Sequence, residues 1–194
     1  MKAFIALDKY IFREELLCGV GVPVSEDEEI AKYESCRKKN VKSFNQWLEI
    51  EIPEKDTYLQ INASLKEQSP YILKSLENFN FLQTLFFSEC NNLVSSFKNN
   101  ASEEEKKELY TAFLKEKYEI VCSLDSALDL FTFINNRCKN NDKVKSSALL
   151  YYAGIKGFLY NDEKGERILM YNAYDDIEVE LIKKKVLENS IVVL

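Results

Sequence analysis

No histidine occurs among the 194 residues, and that absence decides which chemistry is open to the chain. It removes Ser-His-Asp and Cys-His activation of a nucleophile, imidazole general acid–base catalysis and histidine metal ligation. Carboxylates, lysines, tyrosines, thiols and backbone groups remain. Glu178 and Glu180 flank Val179. In an extended chain both would point to one face and could act as a pair; in a helix they would stand about 200° apart and could not both face one ligand. Glu166 opens a stretch expected to return as a strand after Tyr160 and a loop. The five cysteines (Cys18, Cys36, Cys90, Cys122 and Cys138) are scattered without a C-x-x-C pair, so they read as reduced packing residues in a cytoplasmic protein. No G-x-x-x-x-G-K-[ST] loop is present.

The elements that would position such groups are organised around 143–160. Asp142 is a plausible N-cap, and Val144, Ala148, Leu149 and Tyr152 recur at helical spacing. Gly154 stands where a helix end needs a residue tolerant of positive φ, and a strand is expected over 155–160, with Gly157 where something approaches closely. Two of the other three glycines, Gly19 and Gly21, mark the second place where backbone geometry matters most.

Elsewhere, 2–7 suits an opening strand. Ser25 and Glu28 form a capping box for a helix reaching about residue 38. Residues 46–52 alternate Leu48, Ile50 and Ile52 with Glu49 and Glu51, a half-buried strand ended by Pro53. Tyr58, Leu59 and Ile61 suggest another short strand. Ser64 with Glu67, and Ser102 with Glu105, make two more capping boxes, and Pro70 allows a helix only from its first turn or at a break. Helical periodicity fills 81–138, with a break expected near Tyr118. A return strand is expected over 167–172, and 177–180 is either strand or the start of a helix.

The length suits one domain. With 46% hydrophobic and 12% aromatic residues, the composition is that of a globular protein. A net charge of −6 argues against general nucleic-acid binding, and no apolar run reaches the roughly 20 residues of a membrane span.

The runs SSALLYYAGIKGFLY and RILMYNAYDDIEV resemble the C-terminal part of ADP-ribosyltransferase-like domains found in large polyvalent proteins of phages and other mobile elements. Two earlier blocks are similar to that family in the same order. GVGVPVSEDEEIAKYES looks like its glycine-rich loop and following helix, and WLEIEIPEKDTYLQINASLKEQSPYILKSL like its strand, turn and glutamine-serine helix. The resemblance implies a single α+β domain over 1–194: a small, split, mostly antiparallel sheet with packed helices and a helical insert at about 81–138. The strands at 46–52, 155–160 and 167–172 are expected to share one sheet system.

ADP-ribosyl transfer breaks the nicotinamide–ribose bond through an oxocarbenium-like state. It needs a carboxylate near the developing charge and an aromatic ring to stack the nicotinamide. The resemblance makes Glu166, Glu178 and Glu180 the catalytic candidates, with Glu163 beside them. It places Gly19, Gly21, Tyr33, Gly157 and Tyr160 at the cofactor, with Tyr151 and Tyr152 as further rings. In a toxin-like variant Arg13 and Ser146-Ser147 would complete the set. The family's early histidine is missing, and Val22-Pro23-Val24 stands where its tyrosine should follow Gly21. The expectation is therefore a degenerate member that binds a protein partner, such as a host or defence factor, with no cofactor and no metal. The alternative is an active NAD-dependent mono-ADP-ribosyltransferase or NAD glycohydrolase using a late glutamate.

Overall fold

The structure is a computed structural model that describes residues 1–6, 22–24, 26, 47–97, 101–138, 142–162 and 165–171. It is α+β and divides into two compact units, Met1–Tyr58 with Lys156–Leu194, and Leu59–Ile155.

In the first unit, β1 (Lys2–Ala6) pairs antiparallel with β3 (Trp47–Glu51), in register from Lys2 opposite Glu51 to Ala6 opposite Trp47. The Ile52 N–H extends this ladder to the Met1 carbonyl at 2.8 Å. Pro53 follows with no N–H to continue it, and the chain turns through a 3₁₀ segment, Lys55–Thr57. A second sheet runs in the order β2 (Val22–Val24), β6 (Gly165–Met170), β5 (Gly157–Asp162), and β4 (Tyr58–Gln60) leads from the first unit into the second. β5 and β6 form an antiparallel hairpin from Gly157 opposite Met170 to Asp162 opposite Gly165, and β2 pairs antiparallel with the outer edge of β6. The strand over 47–51 was expected to share a sheet with this hairpin. Among the described residues it pairs with β1 alone, because hydrogen bonding gives two separate sheets. Phe158, Ile168, Met170 and Tyr171 are buried, and the Phe158 and Tyr171 rings meet edge to face at 5.4 Å.

The second unit is helical. The Ser64–Glu67 capping box forms as the sequence predicts, but it heads only a 3₁₀ turn, Leu65–Glu67. Pro70 is the reason: the residue before a proline is forced out of the helical region, and Ser69 is accordingly extended. Ser69 then caps α1 (Pro70–Leu76) by accepting the Ile72 N–H at 3.1 Å, with Pro70 in the first turn. Asn78 caps α2 (Phe79–Leu85) and a kink at Phe86 separates it from α3 (Phe87–Ser96).

α4 (Glu103–Cys122) begins at the Ser102–Glu105 box and runs unbroken through Tyr118, where the sequence suggested a break. The interruption lies further on, at 123–126, where Ser126 turns extended and caps α5 (Ala127–Arg137) through the Asp129 N–H. Asp142 caps α6 (Lys143–Tyr152). Ile72, Leu76, Leu82, Leu130, Ile134 and Leu150 are fully buried in this unit. The Arg137 guanidinium lies 4.4 Å from the Phe86 ring centroid and 4.7 Å from that of Phe133. It also donates to Glu89 at 2.7 Å, tying α5 to α3 and holding the Glu89 carboxyl below the usual range.

Candidate functional site

Glu166 is the described member of the proposed catalytic carboxylates; Glu163, Glu178 and Glu180 lie outside the described residues. It is the second residue of β6, opposite Asn161, and close to the turn of the hairpin. Its carboxylate accepts a hydrogen bond from Lys55 Nζ at 2.5 Å. The same ammonium lies 2.5 Å from Glu26. Lys55 comes from the turn after Pro53, which places it between two acids that are 29 and 111 residues away in sequence. These contacts, first the hydrogen bond to Glu166 and then that to Glu26, raise the Lys55 pKa above its ordinary value.

The candidate cofactor residues on this hairpin do not converge on Glu166. Directly opposed residues of an antiparallel pair share a face, and successive residues alternate. Glu166 shares its face with Asn161, whereas Tyr160, opposite Arg167, belongs to the other face. Gly157 has the parity of Glu166 but sits four register positions away, opposite Met170, about 14 Å along the strands. Glu166 and Gly157 therefore stand at opposite ends of the hairpin. The reason Gly157 lacks a side chain is local: a Cβ built there would lie 2.0 Å from the Leu169 carbonyl oxygen. Gly19, Gly21 and Tyr33 lie outside the described residues, as does Arg13.

Ser146 and Ser147 face the interior of the helical unit. The Ser146 hydroxyl lies 3.0 Å from the Asp142 carbonyl and 3.2 Å from Asn135 Oδ1, and Ser147 donates to the Val144 carbonyl at 3.0 Å. Both are small polar residues whose hydroxyls are satisfied in the packing of α6. Tyr151 and Tyr152 contact each other edge to face at 6.0 Å, with Tyr152 80% exposed.

Sequence reasoning missed Lys55, and no spacing signal could have found it. Each member of the Glu26–Lys55–Glu166 cluster keeps about 40% of its side-chain surface exposed: 43% for Lys55, 39% for Glu26 and 41% for Glu166. Solvent therefore screens the pairing, and it is worth at most about 1 kcal/mol. Glu166→Gln is expected to change unfolding free energy by no more than about 0.5 kcal/mol. Lys55→Ala leaves two carboxylates without the ammonium between them and is expected to cost up to about 1 kcal/mol at low salt, less at high salt. Because the folded Lys55 pKa is raised, this contribution is full below the ordinary value of 10.5 and is lost as pH rises through the folded pKa. Urea titrations of Lys55→Ala and the parent chain should show a constant difference from about pH 6 to 9 that shrinks only as pH passes the ordinary value of 10.5.

Among the described residues no three Cys, Asp or Glu side chains group as metal ligands, and no helix is long and apolar enough to cross a membrane. Cys90, Cys122 and Cys138 are free, while Cys18 and Cys36 lie outside the described residues. Comparison with protein-family models, with curated proteins and with solved structures found no match to this chain.

Proposed function

We propose that the chain is a catalytically silent ADP-ribosyltransferase-like protein of mobile-element origin that works by binding a protein partner, such as a host or defence factor. The observation that carries this reading is the pairing of Glu166 with Lys55. A carboxylate that stabilises a developing cation acts through its uncompensated charge in a water-poor site. Glu166 instead shares the Lys55 ammonium with Glu26 and is partly exposed. The strand parity that puts Tyr160 on the other face, and the use of Gly157 for strand contact, support the same reading. So does the missing histidine.

The test is incubation of the full chain with NAD labelled in turn on the nicotinamide and on the adenine, with and without cell lysate. The expected result is no nicotinamide release and no transfer of label to protein above a no-protein control. Turnover that falls roughly 100-fold in Glu166→Gln, Glu178→Gln or Glu180→Gln would overturn the reading in favour of an active transferase or glycohydrolase.

A further inference from the structure

Residues of α3 and α4 line an open groove of about 860 Å³. Leu93 and Phe97 contribute from α3 and its end, and Leu109 and Ala112 from α4. Glu105, Glu108, Leu109 and Ala112 recur at helical spacing, so they form one stripe about 10 Å long. The buried residues of α4, Leu114 and Val121, lie about 120–140° around the helix from Leu109. α4 thus has one apolar side in the core of its unit and a second, centred on Leu109 at 54% exposure, facing solvent.

Charge selects the occupant. Among the described residues that line it, the groove carries Glu105 and Glu108 and no lysine or arginine. Lys106 and Lys107 line a neighbouring concavity with Phe79 and Tyr110 that shares Phe97 with the groove. An anionic lipid surface or a fatty-acid carboxylate would meet like charge. An apolar groove whose described charged residues are acids fits a helix with an apolar stripe and basic flanks.

We propose that the α3–α4 groove docks a basic amphipathic helix of a partner protein, with its apolar stripe against Leu93, Phe97 and Leu109 and its lysines or arginines beside Glu105 and Glu108. This rests on the protein-binding part of the proposed function and not on its catalytic silence.

The experiment uses the full chain and fluorescent helical peptides of about 18 residues with leucines at i, i+3, i+4 and i+7. One peptide carries lysine on the flanks of the stripe, one glutamate, and one is a scramble of the first. Fluorescence anisotropy should show saturable binding of the lysine peptide, at least 10-fold tighter than either control and weakened by salt. Leu109→Asp should reduce affinity at least 10-fold. Glu108→Lys should narrow the preference for lysine flanks, and Glu105→Gln, which retains a capping side chain, should do so to a smaller extent. Leu93→Ser is the second groove variant if Leu109→Asp alters the circular dichroism spectrum. Equal binding of lysine and glutamate peptides, absence of binding, or binding unaffected by either groove variant would overturn the proposal. Dimerisation that Leu109→Asp abolishes, or preferential binding to anionic vesicles, would overturn it as well. Failure here leaves the NAD assay unchanged, and NAD turnover would remove the catalytic-silence reading without touching the groove.

Discussion

Gly157→Ala is expected to destabilise the first unit by about 3 kcal/mol or more, lowering its melting temperature by about 10 °C. The added Cβ would lie 2.0 Å from the Leu169 carbonyl oxygen and 2.9 Å from its carbon, both backbone atoms of the paired strand. No rotamer change can relieve that contact, so the ladder itself must open where Gly157 meets Met170. A φ of +155° adds strain for any residue with a side chain. Gly154→Ala is the control. Its φ of +107° is also strained, but the added Cβ meets the Tyr71 hydroxyl at 3.1 Å and the Ser75 hydroxyl at 3.2 Å, ends of side chains that can shift. It should cost about 1–2 kcal/mol. Thermal unfolding followed by circular dichroism distinguishes the two; equal losses would mean that backbone strain, not the strand contact, dominates at Gly157.

Gln68→Leu is expected to cost about 2 kcal/mol, although it places an apolar side chain where only 4% of the residue is exposed. The Gln68 side chain accepts the Gln60 N–H at 2.8 Å and donates back to the Gln60 carbonyl at 2.9 Å and the Ala63 carbonyl at 3.2 Å. It therefore closes the turn between β4 and α1 as a single amide clamp. Leucine removes both the donor and the acceptor and leaves partly buried backbone groups without them. Gln68→Glu keeps the size and the acceptor but sets a carboxylate against carbonyl oxygens. Burial among acceptors raises a carboxyl pKa above the usual value of about 4.3. Stability relative to the parent is then best below that value and falls as pH rises through the raised folded pKa. The comparison must be made against the parent at each pH, because the lowered pKa values of Glu89 and Asp142 make the parent lose stability as pH falls. Urea unfolding from about pH 4 to 8 measures it; a pH-independent deficit would show that loss of the donor alone matters.

Local pattern was enough wherever a short stretch carries its own instructions. The capping residues Ser64, Ser102 and Asp142 stand at the starts they mark, because the side chain that caps lies within three residues of the N–H it accepts. Gly154 ends α6 for an equally local reason, and Pro53 ends the alternation over 47–51. Even the mistake at Tyr118 is local: helical period continues across a break when the residues on both sides are apolar, and only the extended backbone of Ser126 separates α4 from α5.

What the sequence by itself determined was therefore the α+β composition, most of the described element starts and stops, and the absence of imidazole chemistry. Tertiary structure alone decided which strands pair, that Gly157 accommodates the Leu169 carbonyl, and that Tyr160 and Glu166 occupy opposite faces. It also decided that Lys55 meets Glu26 and Glu166, and that Gln68 turns inward as a clamp. The physical reason is the range of the interactions. Caps and turns act within about four residues, so the chain spells them out. Strand register and ion pairing join residues as far apart as Lys55 and Glu166, and their partners are fixed only when packing brings the segments together.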